Sequence, residues 1–208
     1  LIIKSVHIKN FRSILDETIE CANLTVLVGR NGAGKSSFLR ALEVFYDPRA
    51  NATPEDYYDQ DTSQDIEIAV TFAELSPEAA SLFSHYLEDS DLTVCRVFSM
   101  SSAKSGTYHG VRLQNPECTR VRGAGGRREV TAAYNQLKGD SKYSSLPNVR
   151  SSDDALAALA QWEDEHPDEC CRLRDDGQFF GFTEVGNGYL GRHTRFIHVP
   201  AVRDASGD

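Results

Sequence analysis

The stretch Gly29-Arg30-Asn31-Gly32-Ala33-Gly34-Lys35-Ser36 decides the fold, because it fits the pattern G-x-x-x-x-G-K-[ST] at every fixed position. Its glycines allow backbone turns that side chains disfavour, and the turned amides point inward as an anion-binding nest. The spacing predicts that Lys35 contacts the β- and γ-phosphates and that the Ser36 hydroxyl is a Mg²⁺ ligand. We therefore predict a phosphate-binding loop (P-loop) for a nucleoside triphosphate, namely ATP with Mg²⁺.

The sequence on either side of this loop supports the same interpretation. Leu24–Val28 is a short apolar run ending at glycine, which is typical of a strand buried on both faces of a sheet. Apolar residues at helical spacing predict a helix over Ser36–Tyr46, and Pro48 lies just beyond its end. A chance glycine-rich turn would lack this strand-loop-helix context.

Periodicity predicts the remaining elements. Alternating apolar residues predict strands over 4–11, 14–20, 66–72, 92–98, 108–113 and 196–199. A Ser-Pro start and apolar spacing predict helices over 77–87 and 153–165. Residues 49–65 are polar and predict an exposed loop, whereas residues 114–150 show little pattern and predict an irregular segment.

Composition excludes several classes of protein. The 208 residues carry a net charge of −9, which excludes a globally basic nucleic-acid binder but allows a local basic patch. No stretch approaches the roughly 20 apolar residues that span a bilayer. Five cysteines, none spaced C-x-x-C, predict free thiols in the reducing cytoplasm and no zinc site.

Two segments resemble a known group of ATPases. Residues 4–13 resemble the opening strand "I-x-N-F-R-S" of RecF/SMC-like ABC ATPases, and residues 29–37 are similar to their "G-x-N-G-x-G-K-S-S/T" loop. Residues 66–76 and 196–204 resemble the N-terminal ATPase region of the OLD (overcoming lysogenization defect) family, whose members are ATP-dependent nucleases. The resemblance implies an α/β fold, the N-terminal lobe of a P-loop ABC-type head with a mixed sheet. Its antiparallel portion is expected near 4–20 and 66–113.

The resemblance also implies a division of the chain. Residues 1–208 form the N-terminal lobe of a split head, and its C-terminal half is expected to be absent. The units are a strand-loop-helix segment at 1–48, antiparallel strands with a helix at 66–113, an irregular or helical insertion at 114–195, and a glutamine-loop-like region at 196–208. This last region contains no Gln, and no signature motif is found.

For function, the resemblance implies an ATP hydrolase that processes DNA in repair or phage defence, without a membrane. Two identical heads would sandwich ATP, and DNA would be a partner of the full-length protein. Lys35 is the candidate catalytic residue, and Ser36 is the candidate Mg²⁺ ligand. The candidate nucleotide-binding residues are Asn10, Arg12, Gly29, Arg30, Asn31, Gly32, Ala33, Gly34, Lys35, Ser36 and Ser37.

Three alternatives stay open at this point. ATPases of this class place an acidic residue at the end of a second apolar strand, and no convincing one is found; Glu74, after the strand at 66–72, lacks a catalytic pattern. The first alternative that follows is a non-catalytic nucleotide-binding or dimerisation module. Another RecF/SMC-like repair ATPase also fits. A small-molecule kinase is disfavoured by Asn10-Phe11-Arg12.

Other charged and aromatic residues receive less specific interpretations. The basic cluster of Arg120, Arg122, Arg127 and Arg128 is compatible with DNA phosphates, but a solvated flexible loop is favoured. The acidic stretch at 56–61 is interpreted as a polar loop and not a metal site. His193 and His198 are expected to be structural or surface residues, and Trp162 a core residue.

Overall fold

The computed structural model describes residues 1–101, 103–175, 189–197 and 199. Its centre is a seven-stranded sheet built from a meander of antiparallel pairs. The path along the sheet is β2-β1-β3-β5-β6-β7, and β4 pairs with β5. The strands are β1 (Ile2–Phe11), β2 (Ile14–Glu20), β3 (Ile66–Ala73), β4 (Leu87–Glu88), β5 (Asp91–Ser99), β6 (Ala103–Gln114) and β7 (Cys171–Arg174).

Six helices complete the described residues: α1 (Lys35–Tyr46), α2 (Pro77–Leu82), α3 (Pro116–Arg122), α4 (Arg127–Lys138), α5 (Ser152–Glu165) and α6 (Tyr189–His193). Single 3₁₀ turns lie at Pro54–Asp56, Tyr58–Gln60, Ser84–Tyr86, Ser141–Tyr143 and Pro167–Glu169. No helix in the described ranges has the length and apolar character that crossing a bilayer requires.

The period-2 pattern positions the strands as predicted. On β3, Ile66, Ile68, Val70 and Phe72 are fully buried, and the residues between them are partly exposed. This face packs against α1, whose buried side chains include Phe38 and Phe45. The antiparallel portion expected over 4–20 and 66–113 is confirmed. All strand pairs among the described residues are antiparallel, so the parallel part of the expected mixed sheet is not among them.

A buried cation joins β5 to the end of α1. The guanidinium of Arg96 donates to the carbonyls of Asp47 and Ser105, each at 2.5 Å, and of Ala50 at 3.2 Å. It also lies 4.6 Å from the ring centre of Phe98 and 4.8 Å from that of Tyr108. Burial lowers the pKa of Arg96, although Tyr108 and Asp47 counteract it. Cations favour the carbonyl end of a helix, so Arg96 fixes the C-terminus of α1.

The segment at 114–150 is mostly helical, which corrects the prediction of an irregular segment. Residues 115–170, here called the insert, leave the sheet at Gln114 and return at Cys171, and these two residues pair across β6 and β7. The insert has its own core, centred on Tyr134, Leu159 and Trp162. Short helices capped by glycine carry few apolar residues, which is why the sequence pattern was weak.

Leu24–Val28 is not a strand, and this prediction was wrong for the described residues. Leu24, Val26 and Val28 are 82%, 71% and 89% exposed, whereas Leu27 packs against the main core. An apolar run becomes a buried strand only where neighbouring strands pair with it, and none of the described strands does.

Three smaller expectations also change. Helix α2 ends at Leu82, before the predicted boundary near 87, and a 3₁₀ turn follows. Phe196, Ile197 and Val199 carry no strand assignment, while His198 and residues 200–204 lie outside the described residues. The polar loop at 49–65 contains a buried anchor, Tyr57, which forms a bridge to Phe11.

Candidate nucleotide-binding site

The glycine-rich loop lies at the N-terminal end of α1, as the sequence predicted. Gly32 and Gly34 both have φ of 84°, in the left-handed region that favours glycine. A Cβ on Gly34 would lie 3.4 Å from Ile14 and 3.5 Å from the Ser13 hydroxyl, so the first β-hairpin closes one side of the loop. The loop therefore favours glycine at 34 for its conformation, since a Cβ there would make only ordinary contacts with the hairpin.

The backbone amides of this loop are available to a ligand. Within the described residues, the Ala33 amide donates to the Arg30 carbonyl at 3.2 Å, and the loop's other amides have no such backbone acceptor. Helix α1 starts without a side-chain cap and without an acidic residue in its first turn. Unsatisfied amides at a helix N-terminus carry partial positive charge, which makes this end of α1 suitable for a phosphate.

Lys35 lies across the loop. Its ammonium donates to the carbonyls of Gly29 at 2.7 Å and Arg30 at 2.8 Å. It makes no ion pair with a described carboxylate, so its positive charge is not neutralised. Two neutral carbonyl acceptors hold the ammonium in position while leaving its charge for a polyanion.

Two serines in the first turn of helix α1 differ in their contacts. Ser37 shares a hydrogen bond of 2.8 Å with Ser13, which ties the hairpin turn to the helix. Ser36 is exposed, and its hydroxyl makes no hydrogen bond with a described residue. A free hydroxyl beside the loop fits the Mg²⁺ role predicted for Ser36. The described residues contain no cluster of three His, Cys, Asp or Glu side chains that would hold a metal by themselves.

Asn10 and Arg12 flank the end of β1, both with left-handed φ, at 55° and 53°. Asn10 is 4% exposed, and its amide donates to the carbonyl of Gln64 at 2.8 Å. Arg12 pairs with Asp56 at 2.9 Å. These contacts are structural ones that fix the loop at 49–65, so nucleotide contact by Asn10 or Arg12 stays a prediction.

The Arg12–Asp56 pair shifts the acid–base chemistry of the carboxyl. Burial raises the pKa of Asp56, but hydrogen bonds from Thr53 and Arg12 outweigh it and lower the pKa overall. Asp56 is therefore held as a carboxylate close to the hairpin turn that contacts the P-loop helix.

The structure also gives the exposure of the remaining loop residues and the surroundings of Trp162 and His193. Arg30, Asn31 and Ala33 are exposed on the loop. Trp162 is confirmed as a core residue, stacked on His166 with ring centres 4.3 Å apart. His193 packs edge-on against Phe83, which confirms a structural role.

Sequence reasoning missed Ser13 and Arg96. Ser13 closes the loop through Ser37, and its signal was its place directly after Asn10-Phe11-Arg12 in the motif. Arg96 gave no signal, because a single Arg in an alternating strand is usually an exposed residue.

The uncapped helix, the left-handed glycines and a lysine bonded only to neutral carbonyls are the features of a P-loop domain. The AAA ATPase domain family matches residues 2–163, and the chain belongs to that family.

Within the ATPases, the resemblance to the OLD family is confirmed. The chain is 39% identical over 75 residues to an OLD nuclease from Thermus scotoductus, and 37% identical over 70 residues to Endonuclease GajA from Bacillus cereus. These stretches cover 34% and 32% of this chain but only 14% and 12% of the two relatives.

A solved structure from work on ATP-driven dimerization and DNA-stimulated activation of SMC ATPases is also similar. It is 18% identical, with a TM-score of 0.38, over 51% of this chain and 67% of that one.

Proposed function

We propose that the chain is the ATP-binding part of an ATP-driven DNA-processing enzyme, and that residues 29–37 bind ATP with Mg²⁺. The observation that carries the proposal is the charge of Lys35, which faces carbonyls and no carboxylate beside an uncapped helix N-terminus. A site built from free amides and one ammonium is complementary to a polyphosphate.

Each of these residues would make a different interaction with ATP and Mg²⁺. The Lys35 ammonium would turn from the Gly29 and Arg30 carbonyls to the β- and γ-phosphates. The amides of residues 31–37, apart from that of Ala33, would donate to phosphate oxygens. The Ser36 hydroxyl would hold Mg²⁺, which neutralises phosphate charge when bound. Arg12 and Asn10 would approach from the hairpin side, because Ser13 already contacts the first turn of α1.

We further propose that residues 1–208 form the N-terminal lobe of a split ATPase head. The exposed apolar run at Leu24–Val28 supports this, because its side chains and backbone need further strands as cover. Two heads would close around ATP, and each would contact the nucleotide of the other. Nucleotide then favours the closed pair because it binds that state more tightly. The nuclease names of the relatives support DNA as the substrate. We propose DNA repair or phage defence as the setting.

A non-catalytic nucleotide-binding or dimerisation module is the second candidate, and one observation favours it. ATP hydrolysis needs an acidic residue at the end of a second strand, and Glu74 directly follows β3. Its neighbour Ala73 pairs with Ile2, however, which places Glu74 beside the start of β1. The P-loop helix contacts Ser13, which follows the other end of β1. The two ends of β1 are roughly 30 Å apart at 3.4 Å per residue. Glu74 is therefore unable to serve this nucleotide.

The five cysteines are all free, which supports our proposal of a reducing, cytoplasmic location.

The test of nucleotide binding is Lys35→Ala with calorimetric titration of ATP and Mg²⁺. We expect an affinity loss of about 100-fold, equal to about 2.7 kcal/mol, because charge-assisted hydrogen bonds to phosphate are lost. Lys138→Ala, at the far end of an insert helix, is the matched control and should bind as the wild type does. Unchanged affinity in Lys35→Ala would refute the site.

Phosphate release separates the two candidate functions. Mg²⁺-dependent release by the 208-residue chain that is lost in Lys35→Ala supports the hydrolase. Tight ATP binding without release supports the non-catalytic module.

A further inference from the structure

The insert carries a cleft that the nucleotide site does not use. It lies between helix α4 and the start of α5, with a volume of about 550 Å³. Three arginines line it, and we call it the arginine cleft: Arg127 and Arg128 begin α4, and Arg150 precedes α5 on the opposite wall.

These three guanidinium groups are exposed and have no partner. None of them makes a side-chain hydrogen bond or an ion pair with a described residue. The other basic side chains of the insert are all engaged: Arg120 with Glu117, Arg122 with Glu163, Lys138 with Asn148 and Lys142 with Glu169.

The basic cluster seen in the sequence is therefore divided by the structure. Arg120 and Arg122 are neutralised by carboxylates. All four arginines lie on α3 and α4, which the non-helical residues 123–126 join, and this corrects the interpretation of the cluster as a flexible loop. Arg127 and Arg128 instead join Arg150, which lies 22 positions further along the chain and was not part of the predicted cluster.

The charge balance inside the cleft is positive although the chain carries −9. Asp153 is the acidic residue among those that line it, and it accepts a hydrogen bond of 3.4 Å from Ser152. Three cations against one carboxylate leave a local excess of positive charge on an acidic protein, and such a patch attracts anions selectively.

The shape of the cleft indicates an extended anion. Arg127, Thr131 and Asn135 line it from one face of α4, at spacings of four residues. Eight residues of helix span about 12 Å at 1.5 Å per residue, which matches roughly three nucleotides at 3.4 Å per strand. The Thr131 hydroxyl donates to the Arg127 carbonyl at 3.0 Å, so Arg127 and Asn135 supply the donors at the two ends of this face. Donors this far apart fit successive phosphates better than they fit one compact anion.

We propose that the arginine cleft binds the phosphodiester backbone of DNA. Guanidinium groups donate pairs of hydrogen bonds to phosphate oxygens, and the exposed Asn135 amide adds a neutral donor to the same cleft. The choice of DNA rests on the function proposed above. Contacts to phosphates would position DNA without reading its sequence.

The test compares two triple variants of the 208-residue chain with fluorescein-labelled duplex DNA. The cleft variant is Arg127→Gln/Arg128→Gln/Arg150→Gln. The control variant, Arg49→Gln/Arg120→Gln/Lys142→Gln, removes equal charge from exposed positions outside the cleft. Anisotropy over a salt series should show the cleft variant at least tenfold weaker, with the slope of log K against log salt reduced by about 2 to 3. The control should bind within about twofold of the wild type.

Several results would overturn the proposal. These are absence of DNA binding by the wild type, equal losses in both variants, or no loss in the cleft variant. Inorganic phosphate that displaces DNA at equal phosphate concentration would make this a site for compact anions. Polyglutamate that binds as tightly as DNA would make it a site for acidic protein.

Nucleotide binding separates this proposal from the proposed function. Both triple variants should bind ATP as the wild type does and melt at similar temperatures. If Lys35→Ala keeps its ATP affinity while the cleft variant loses DNA, the nucleotide site fails and the cleft stands. If Lys35→Ala loses ATP while the cleft variant keeps DNA, the reverse holds.

Discussion

The guanidinium of Arg96 donates a hydrogen bond to the carbonyl of Val44, so that a cation on β5 fixes the last turn of the helix that begins at the P-loop. The same group reaches Asp47, Ala50 and Ser105. Tyr108 adds a hydrogen bond from its hydroxyl to the Phe45 carbonyl, so Arg96 and Tyr108 together hold the end of α1 opposite the proposed nucleotide site.

We expect Arg96→Met to destabilise the chain by about 3 to 5 kcal/mol, since several buried carbonyls lose their donor. Urea unfolding followed by circular dichroism measures the change. Arg49→Met, on the exposed turn beside the same carbonyls, should shift the midpoint little. If Arg96→Met unfolds at the wild-type midpoint, Arg96 does not hold this region.

Gly106 makes room for that cation. A Cβ there would lie 2.6 Å from a Phe98 ring carbon and 2.8 Å from Nε of Arg96, and its φ of +72° is left-handed. We expect Gly106→Ala to cost about 2 to 4 kcal/mol from backbone strain and overpacking combined. Thermal melting tests this, with Gly125→Ala as control because its Cβ would meet open space. Equal melting temperatures for the two variants would contradict the packing described.

The Arg12–Asp56 pair predicts a pH dependence. The folded pKa of Asp56 lies below the ordinary value of about 3.9, so its stabilisation is full above that pH and is lost as pH falls through the folded pKa. Arg12→Gln should therefore cost about 0.5 to 1 kcal/mol at neutral pH, because the pair is partly exposed.

Urea unfolding of both proteins from pH 7 down to pH 2 measures this difference. It should shrink as the pH falls below about 4. A difference that stays constant over the whole range would show that Arg12 acts through packing and not through the charge of Asp56.

We expect the reactivity of the cysteine thiols to decrease as their burial increases. Burial raises the pKa of Cys95 to about 11 and that of Cys118 to about 12, whereas Cys171 is exposed. We expect Cys171 to react with a disulfide reagent at neutral pH before either buried thiol, because the thiolate is the nucleophile. Cys171→Ser should remove the fastest phase, and Cys118→Ser should leave it intact. A fast phase that survives Cys171→Ser would contradict this order.

The sequence was most informative where one residue type has one use. The glycine-rich turn into α1 and the half-buried strand at 66–72 were predicted correctly, while nucleotide binding by residues 29–36 stays a prediction. Leu24–Val28 was mispredicted because an apolar run indicates burial but not which strands provide it. Trp162 was expected in a core, but Arg96 and the packing partner Tyr134 escaped prediction, because contacts between distant parts of the chain leave no short-range period.

The pairing of Gln114 with Cys171 means that the insert begins and ends at neighbouring points of one hairpin. The insert could therefore be deleted, lengthened or replaced by another segment without moving any strand. Such an exchange would leave the glycine-rich start of α1 in place, because that loop contacts the first hairpin.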